Sequence, residues 1–245
     1  MLKNINKQIL HIGERASTWL WPEVCPFCGR VSSQGICARC RRRLENIRIQ
    51  EPRCMKCGKP LRHEEQEYCY DCMHMKHQYT SGYGLWLHRD PVSISIYQFK
   101  YHNQRRYGIY YAEELVFCFG RTIRRWKPDL IIPIPLHRKR RKKRGYNQAE
   151  IISRRMGEML GIPVDSQCLI RRICTAPQKM LGHQERRKNL RRAFAVRKSF
   201  FPVKTVLLID DIYTTGSTMD AAAQVLKEKG VEKVYFLTIS IGQGN

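Results

Sequence analysis

The sequence predicts an α/β domain built on a mostly parallel, doubly wound sheet, preceded by a small cysteine-rich module. Two observations carry that reading. Residues 129–245 alternate apolar, β-branched runs with helical periods. Eight of the eleven cysteines fall into four Cys-x-x-Cys pairs between residues 25 and 72. Length sets the scale: 245 residues allow one large domain or two smaller ones, and 42% apolar residues suffice for a packed core and exclude a disordered chain.

Along the chain, residues 1–21 read as an amphipathic helix. Leu2, Ile5, Ile9, Ile12, Ala16, Trp19 and Leu20 recur at helical spacing, and Lys3, Lys7 and Arg15 lie opposite. Such a helix covers the next module or lies on a membrane surface. No secretory leader is expected, because His11, Glu14 and Arg15 interrupt the only apolar stretch near the N-terminus. No run of about 18 apolar residues is present to span a membrane.

Residues 22–78 form the cysteine module. The segment is polar, rich in Gly and Pro, and too poor in apolar periodicity to fold without a cross-link or metal. Cys25, Cys28, Cys37 and Cys40 make one set, and Cys54, Cys57, Cys69 and Cys72 another. Two Cys-x-x-Cys knuckles complete a closed four-thiolate site of the structural zinc type, so two zinc ions are expected. The spacing leaves a crossed pairing or an empty second site open. A four-thiolate site has no open position for catalysis, and Cys118, Cys168 and Cys174 read as ordinary thiols.

Residues 79–245 form the α/β domain. Tyr83, Leu85 and Leu87 alternate as in a strand, while Ile94, Tyr97, Gln98 and Tyr101 keep a helical period. Ala112–Phe119 reads as a helix and Asp129–Pro135 as a buried strand. Asn147–Leu160 is a helix stopped by Gly161, Val203–Ile209 a strand, Ser217–Lys229 a helix stopped by Gly230, and Lys233–Ile239 a strand. Ligands of such sheets bind beyond the carboxyl ends of the strands.

That edge carries Val206–Thr218, VLLIDDIYTTGST. Asp210 and Asp211 leave the strand as adjacent carboxylates, able to accept hydrogen bonds from vicinal ribose hydroxyls. Thr214, Thr215, Gly216, Ser217 and Thr218 form a hydroxyl-rich turn into a helix, whose N-terminal N–H groups and dipole suit a phosphate. Gly216 lets backbone approach the ligand closely. A P-loop reading fails because the only Gly-Lys pair, Gly58-Lys59, precedes Pro60. A receiver-domain reading fails because only 34 residues follow Asp211. The segment resembles the phosphoribosyl pyrophosphate signature of type I phosphoribosyltransferases.

The formal charge of +24 is concentrated: residues 121–200 hold 23 Lys/Arg against 5 Asp/Glu, a local net of +18. Such an excess points to a polyanion, whether nucleic acid, anionic membrane or a phosphorylated ligand. The run Arg138, Lys139, Arg140, Arg141, Lys142, Lys143 and Arg144 repels itself and reads as a solvated loop that binds DNA phosphates. Tyr107, Tyr110, Tyr111 and Tyr146 either offer rings for stacking the bases of a single strand or belong equally to the core, a reading that Tyr110 favours.

Further segments complete a resemblance. Phe99-Lys100-Tyr101, Pro133-Ile134-Pro135-Leu136, Arg144-Gly145-Tyr146-Asn147-Gln148, then Gln178, Arg186, Asn189 and Phe194 follow the cysteine module in order. Over about residues 20–240 the chain resembles the ComF family. The resemblance implies a Rossmann-like type I phosphoribosyltransferase fold behind a zinc-ribbon-like module. It implies phosphoribosyl pyrophosphate with Mg²⁺, a pyrophosphate loop at Leu136, His137 and Arg138, and a mobile loop over 174–189 supplying Gln178, Lys179 and Arg186. Lys100 could reach the same anion. It implies a cytoplasmic role in natural transformation, peripheral to the inner membrane face at most. The partners would be single-stranded DNA, a competence helicase and other DNA-uptake and recombination proteins. Three functions stay open: a DNA-processing accessory protein, a phosphoribosyltransferase acting on a small nitrogenous acceptor, and a regulator that senses phosphoribosyl pyrophosphate.

Overall fold

A computed structural model describes residues 23–33, 35–172 and 193–242. The expected helix over 1–21 lies outside them, as do Cys174, Gln178, Lys179, Arg186 and Asn189. In order, the elements are α1 (Ala38–Glu45), α2 (Tyr70–His74), β1 (Ser81–Leu87), α3 (Val92–Tyr101), α4 (Tyr107–Trp126), β2 (Leu130–Pro133), α5 (Arg138–Arg144), α6 (Gln148–Leu160), β3 (Leu169–Arg171), β4 (Phe194–Val196), β5 (Thr205–Tyr213), α7 (Ser217–Lys227) and β6 (Lys233–Ile241).

The central sheet runs β1-β6-β5-β2, all parallel. A bridge between Ile131 and Val164 lengthens the β2 edge. Both faces are covered, so β5 and β6 are near-continuous apolar runs. Side chains alternate between two cores. Leu207, Ile209, Leu237 and Ile239 join Leu115 and Ile123 of α4 and Ile152 and Met156 of α6. Val206, Leu208, Val234 and Phe236 join Met219, Ala222 and Leu226 of α7, with Leu169 and Phe194 of the β3-β4 hairpin. That antiparallel hairpin, with three residues in each strand, is too short for periodicity to reveal.

Element bounds differ from expectation where partners outweigh local pattern. The helix read over Ala112–Phe119 extends to Tyr107–Trp126, because the apolar face of α4 continues through Tyr107, Tyr111 and Ile123. β5 runs four residues past Ile209, because β6 keeps pairing it through Asp210↔Thr238, Ile212↔Ser240 and Tyr213↔Ile241.

The cysteine module clasps the β1 edge. Ile49 N–H donates to the Leu85 carbonyl and Leu87 N–H to the Ile47 carbonyl, alongside the Arg48–Trp86 bridge. The first cysteine set contributes Phe27, Ile36 and Leu44 to the α4-side core, where Phe27 meets Trp86 edge-on at 5.6 Å. The second set contributes Cys54, Cys57 and Tyr79 to the α7-side core. The module therefore shares both cores of the sheet. Among the described residues no helix is long and apolar enough to cross a membrane.

Candidate functional site

Successive side chains of a strand point to opposite faces, so Asp210 and Asp211 separate at the end of β5. Asp211 lies toward α3, where Lys100 Nζ is 2.8 Å from its carboxylate. Lys100 is thus an ion-pair partner of the acid pair. Asp210 accepts from the Asp211 backbone N–H at 2.9 Å. Burial pushes its carboxyl up to about 7, and the Asp211 charge adds to this; that N–H, Lys100 and Arg171 of β3 pull the other way. The two acids are not equivalent: Asp211 is compensated by a cation, while Asp210 titrates near neutrality.

Past Tyr213 the chain turns through Thr214 and Thr215 to Gly216, the N-cap of α7, at φ 78°. A Cβ at Gly216 would lie 2.7 Å from the Tyr213 hydroxyl, so both conformation and space demand glycine. The Thr215 and Ser217 hydroxyls pair at 2.9 Å. Thr218 follows in the first turn of α7, so Thr214 to Thr218 form one continuous turn from β5 into the N-terminus of α7.

Three further residues hold this loop. Tyr79 and Tyr213 pair through their hydroxyls at 2.8 Å, and burial raises the pKa of both phenols. The Asp220 carboxylate, in the first turn of α7, accepts from His77 Nδ1 and from Gln78 N–H, both at 2.7 Å. His77 stacks on Tyr79 at 4.7 Å. Residues 77–79 lead directly out of the second cysteine set, so that set buttresses the loop. Sequence reasoning missed His77, Tyr79 and Asp220. Asp220 reads as an ordinary first-turn acid, and only its distant partners give it a role.

The neighbouring wall comes from β2. Pro133 pairs with Ile209, and Ile134 N–H donates to the Ile209 carbonyl at 2.9 Å. Leu136 and His137 therefore follow beside the acid pair. The Arg144–Gln148 segment fixes this wall. Asn147 Nδ2 donates to the Ile134 carbonyl at 3.0 Å and its Oδ1 caps α6. The Tyr146 hydroxyl and Gln148 Nε2 both donate to the Phe99 carbonyl, locking the helix that carries Lys100.

Two expectations need correction. Arg138–Arg144 is a helix, not a loop. His137 Nδ1 caps it by accepting from Lys139 N–H, and Gly145 at φ 77° closes it. Its self-repulsion is relieved by Glu150, 3.3 Å from Arg141, and by the exposure of Arg138, Lys139, Lys142 and Lys143 to solvent. The expected stacking rings are also largely interior: Tyr107, Tyr111 and Tyr146 are buried, and the half-buried Tyr110 donates its hydroxyl to Glu23. The exposed tyrosines beside the basic helix are Tyr97 and Tyr101.

Each cysteine set is a sequential tetrad, not a crossed one. The four Sγ atoms of Cys25, Cys28, Cys37 and Cys40, and those of Cys54, Cys57, Cys69 and Cys72, lie within 4.8 Å of one another. A tetrahedral zinc with bonds of about 2.3 Å spaces its sulfurs by about 3.8 Å. The Cys28–Cys37 and Cys57–Cys69 pairs stand at 3.7 and 3.6 Å. The halves repeat one design. Gly29 and Gly58, at φ 70° and 71°, close the knuckles by donating to the Cys25 and Cys54 carbonyls. Cys37 and Cys69 cap short helices that carry Cys40 and Cys72.

Two family models agree with this geometry. Residues 16–73 match the double zinc ribbon domain, and residues 121–240 the phosphoribosyl transferase domain. A purine phosphoribosyltransferase from Pyrococcus horikoshii aligns over 54% of this chain and 73% of its own, at 17% identity and TM-score 0.36. The chain is 29% identical to the DNA utilization protein YhgH of Salmonella typhimurium, covering 87% of this chain and 94% of that one. It is 25% identical to competence protein ComFC of Bacillus subtilis over 80% and 79%. Competence protein F of Haemophilus influenzae is 32% identical over 83% of this chain and 89% of its own. With a double zinc ribbon clasped to a type I phosphoribosyltransferase fold, and that identity over most of both sequences, the chain belongs to the competence protein F (ComF) family.

Proposed function

We propose that this protein serves DNA uptake and use by binding phosphoribosyl pyrophosphate in the β5–α7 cleft and single-stranded DNA along the basic surface beside it. The carrying observation is a carboxylate pair in the C-terminal half of β5, followed within a few residues by a hydroxyl-rich turn into α7. The acids suit the ribose hydroxyls, and the loop and helix N-terminus suit the 5-phosphate. The β2–α5 turn at Leu136, His137 and Arg138 brings positive charge to the diphosphate. Asp210 and Asp211 are hard oxygen donors of the kind Mg²⁺ accepts, and the ion would offset diphosphate charge.

The DNA half of the proposal rests on charge. The local net of +18 over residues 121–200 exceeds what one small ligand needs. Relatives named for competence and DNA utilization support the same reading. A competence helicase and other uptake or recombination proteins are the proposed partners. Thiolate zinc ribbons suit the reducing cytoplasm as the site of action. The acid pair also favours a second reading, phosphoribosyl transfer onto a nitrogenous acceptor, because phosphate binding alone needs no carboxylates.

Calorimetry with phosphoribosyl pyrophosphate and Mg²⁺ tests the cleft. Asp210→Asn with Asp211→Asn should abolish the heat of binding in a folded protein; unchanged affinity overturns the site. For DNA, log affinity should fall linearly with log salt, by about 0.7 per phosphate contact. Replacing Arg138–Arg144 with Ser and Gln should flatten that slope for all sequences alike. Equal binding by parent and variant overturns the DNA surface.

A further inference from the structure

We infer that Tyr97 and Tyr101 of α3 form a base-stacking platform that guides single-stranded nucleic acid along the rim of the phosphoribosyl cleft. This rests on the DNA-binding reading above and supplies it with a recognition element that a charged surface alone lacks.

Large aromatic rings on a protein surface are usually half-hidden. Here Ile94, Tyr97 and Tyr101 are 51%, 55% and 52% exposed. They lie at i, i+3 and i+7 on one helix, so they share a face. The opposite face of α3, with Val92, Ile96 and Phe99, is fully buried. The two tyrosine rings stand 4.9 Å apart and tilted, and His102 lies 5.6 Å from Tyr97. The face is thus a preformed strip of rings, held by a rigid helix.

Its surroundings identify the occupant. The Arg144 guanidinium sits over the Tyr101 ring at 4.9 Å and donates to its hydroxyl at 3.0 Å. That contact fixes the ring and joins the strip to the C-terminal end of α5, the basic helix. Beyond Gly145 opens a pocket of about 430 Å³ lined by Arg105, Arg106, Arg141 and Arg154, with Glu150 as its one acid. Rings on one side and arginines on the other match the alternation of bases and phosphates in a single strand. A duplex keeps its base faces stacked, and a membrane or acidic peptide has none to offer.

The strip also borders the reactive edge of the sheet. Lys100, between Phe99 and Tyr101, reaches Asp211 on the cleft side of the same helix. A base stacked on Tyr101 would lie one helical residue from the group that pairs the ribose-binding acid.

Fluorescence anisotropy with two probes of equal length separates stacking from charge: an oligothymidylate, and a base-free deoxyribose-phosphate oligomer. The full-length protein should bind the oligothymidylate more tightly. Tyr97→Ala with Tyr101→Ala should weaken that binding about tenfold or more. The base-free oligomer should bind parent and variant alike, and the Tyr97→Phe, Tyr101→Phe protein should behave as the parent. An unchanged thermal midpoint and unchanged phosphoribosyl pyrophosphate binding certify that the alanine variant is folded. Equal losses on both probes, or no loss on oligothymidylate, overturn the platform while leaving the DNA reading intact. If the parent binds neither probe at physiological salt, the DNA reading itself falls and the platform with it.

Discussion

Lys100 Nζ and the Asp211 carboxylate meet at 2.8 Å, an ion pair that ties α3 to the end of β5. Its charge also reaches Asp210, whose pKa it lowers against the larger effects of burial and the Asp211 charge. Ionised, Asp210 offers only acceptors to the proposed ribose hydroxyls; protonated, one of its oxygens becomes a donor and acceptance weakens. Affinity for phosphoribosyl pyrophosphate should therefore rise as pH rises through about 7. Lys100→Met removes the compensating cation and should move that rise to higher pH. Calorimetric titrations across the range, parent against variant, check both the rise and its displacement.

The same carboxyl destabilises the fold at neutral pH. Its folded pKa of about 7 stands above the ordinary 3.8, so the stability it contributes is complete below the lower value and is lost as pH rises through the upper one. Asp210→Asn should raise the melting temperature at pH 8 by roughly 2–8 °C, equivalent to about 1–2 kcal/mol. At pH 4 the gain should vanish, while ligand binding stays lost at both.

Gly216→Ala should abolish phosphoribosyl pyrophosphate binding without unfolding the chain. The left-handed backbone costs an alanine roughly 1 kcal/mol, and its Cβ must displace the Tyr213 hydroxyl. Loop geometry should fail before the core does. Binding heat and the thermal midpoint of the same sample separate the two effects.

Zinc should reach the cleft through one ribbon more than the other. Metal analysis should give two zinc ions per chain, falling to one in Cys25→Ser or Cys54→Ser if each tetrad loads independently. Only Cys54→Ser should weaken phosphoribosyl pyrophosphate binding, by about tenfold. The second ribbon leads into His77–Tyr79, and these hold Asp220 and Tyr213. Tyr79→Phe should reproduce part of that loss with both zinc ions retained.

What could be read from the sequence was what has a period or a fixed spacing. The strand that carries Asp210, the turn through Gly216 and the four cysteine pairs are local patterns, and each forms where the pattern put it, although β5 continues to Tyr213. The cysteine spacing alone left pairing open; spatial grouping settles it. Arg138–Arg144 misled because repulsion within the run is local, whereas the acid and the caps that offset it come from Glu150, His137 and Gly145. Tyr146 misled in the opposite way. Beside a basic run it resembles a stacking ring, but its hydroxyl is needed inside, on the Phe99 carbonyl. The His77–Asp220 pair spans 143 positions, and no spacing rule reaches that far.

The pairing of β1 with β6 has a consequence for synthesis on the ribosome. Ser81 waits for Tyr235, and Tyr79 for a hydroxyl 134 residues downstream. At bacterial elongation rates that interval lasts on the order of ten seconds. The eight cysteines of the two tetrads are all translated by Cys72, so zinc can be captured while the sheet is still unmade. Until β1 and α4 emerge, Phe27 has neither Trp86 nor Tyr111 to pack against, and a metal would be the ribbons' main cross-link. A module that has captured zinc by then would dock on β1 as a preformed unit through Ile49 and Leu85.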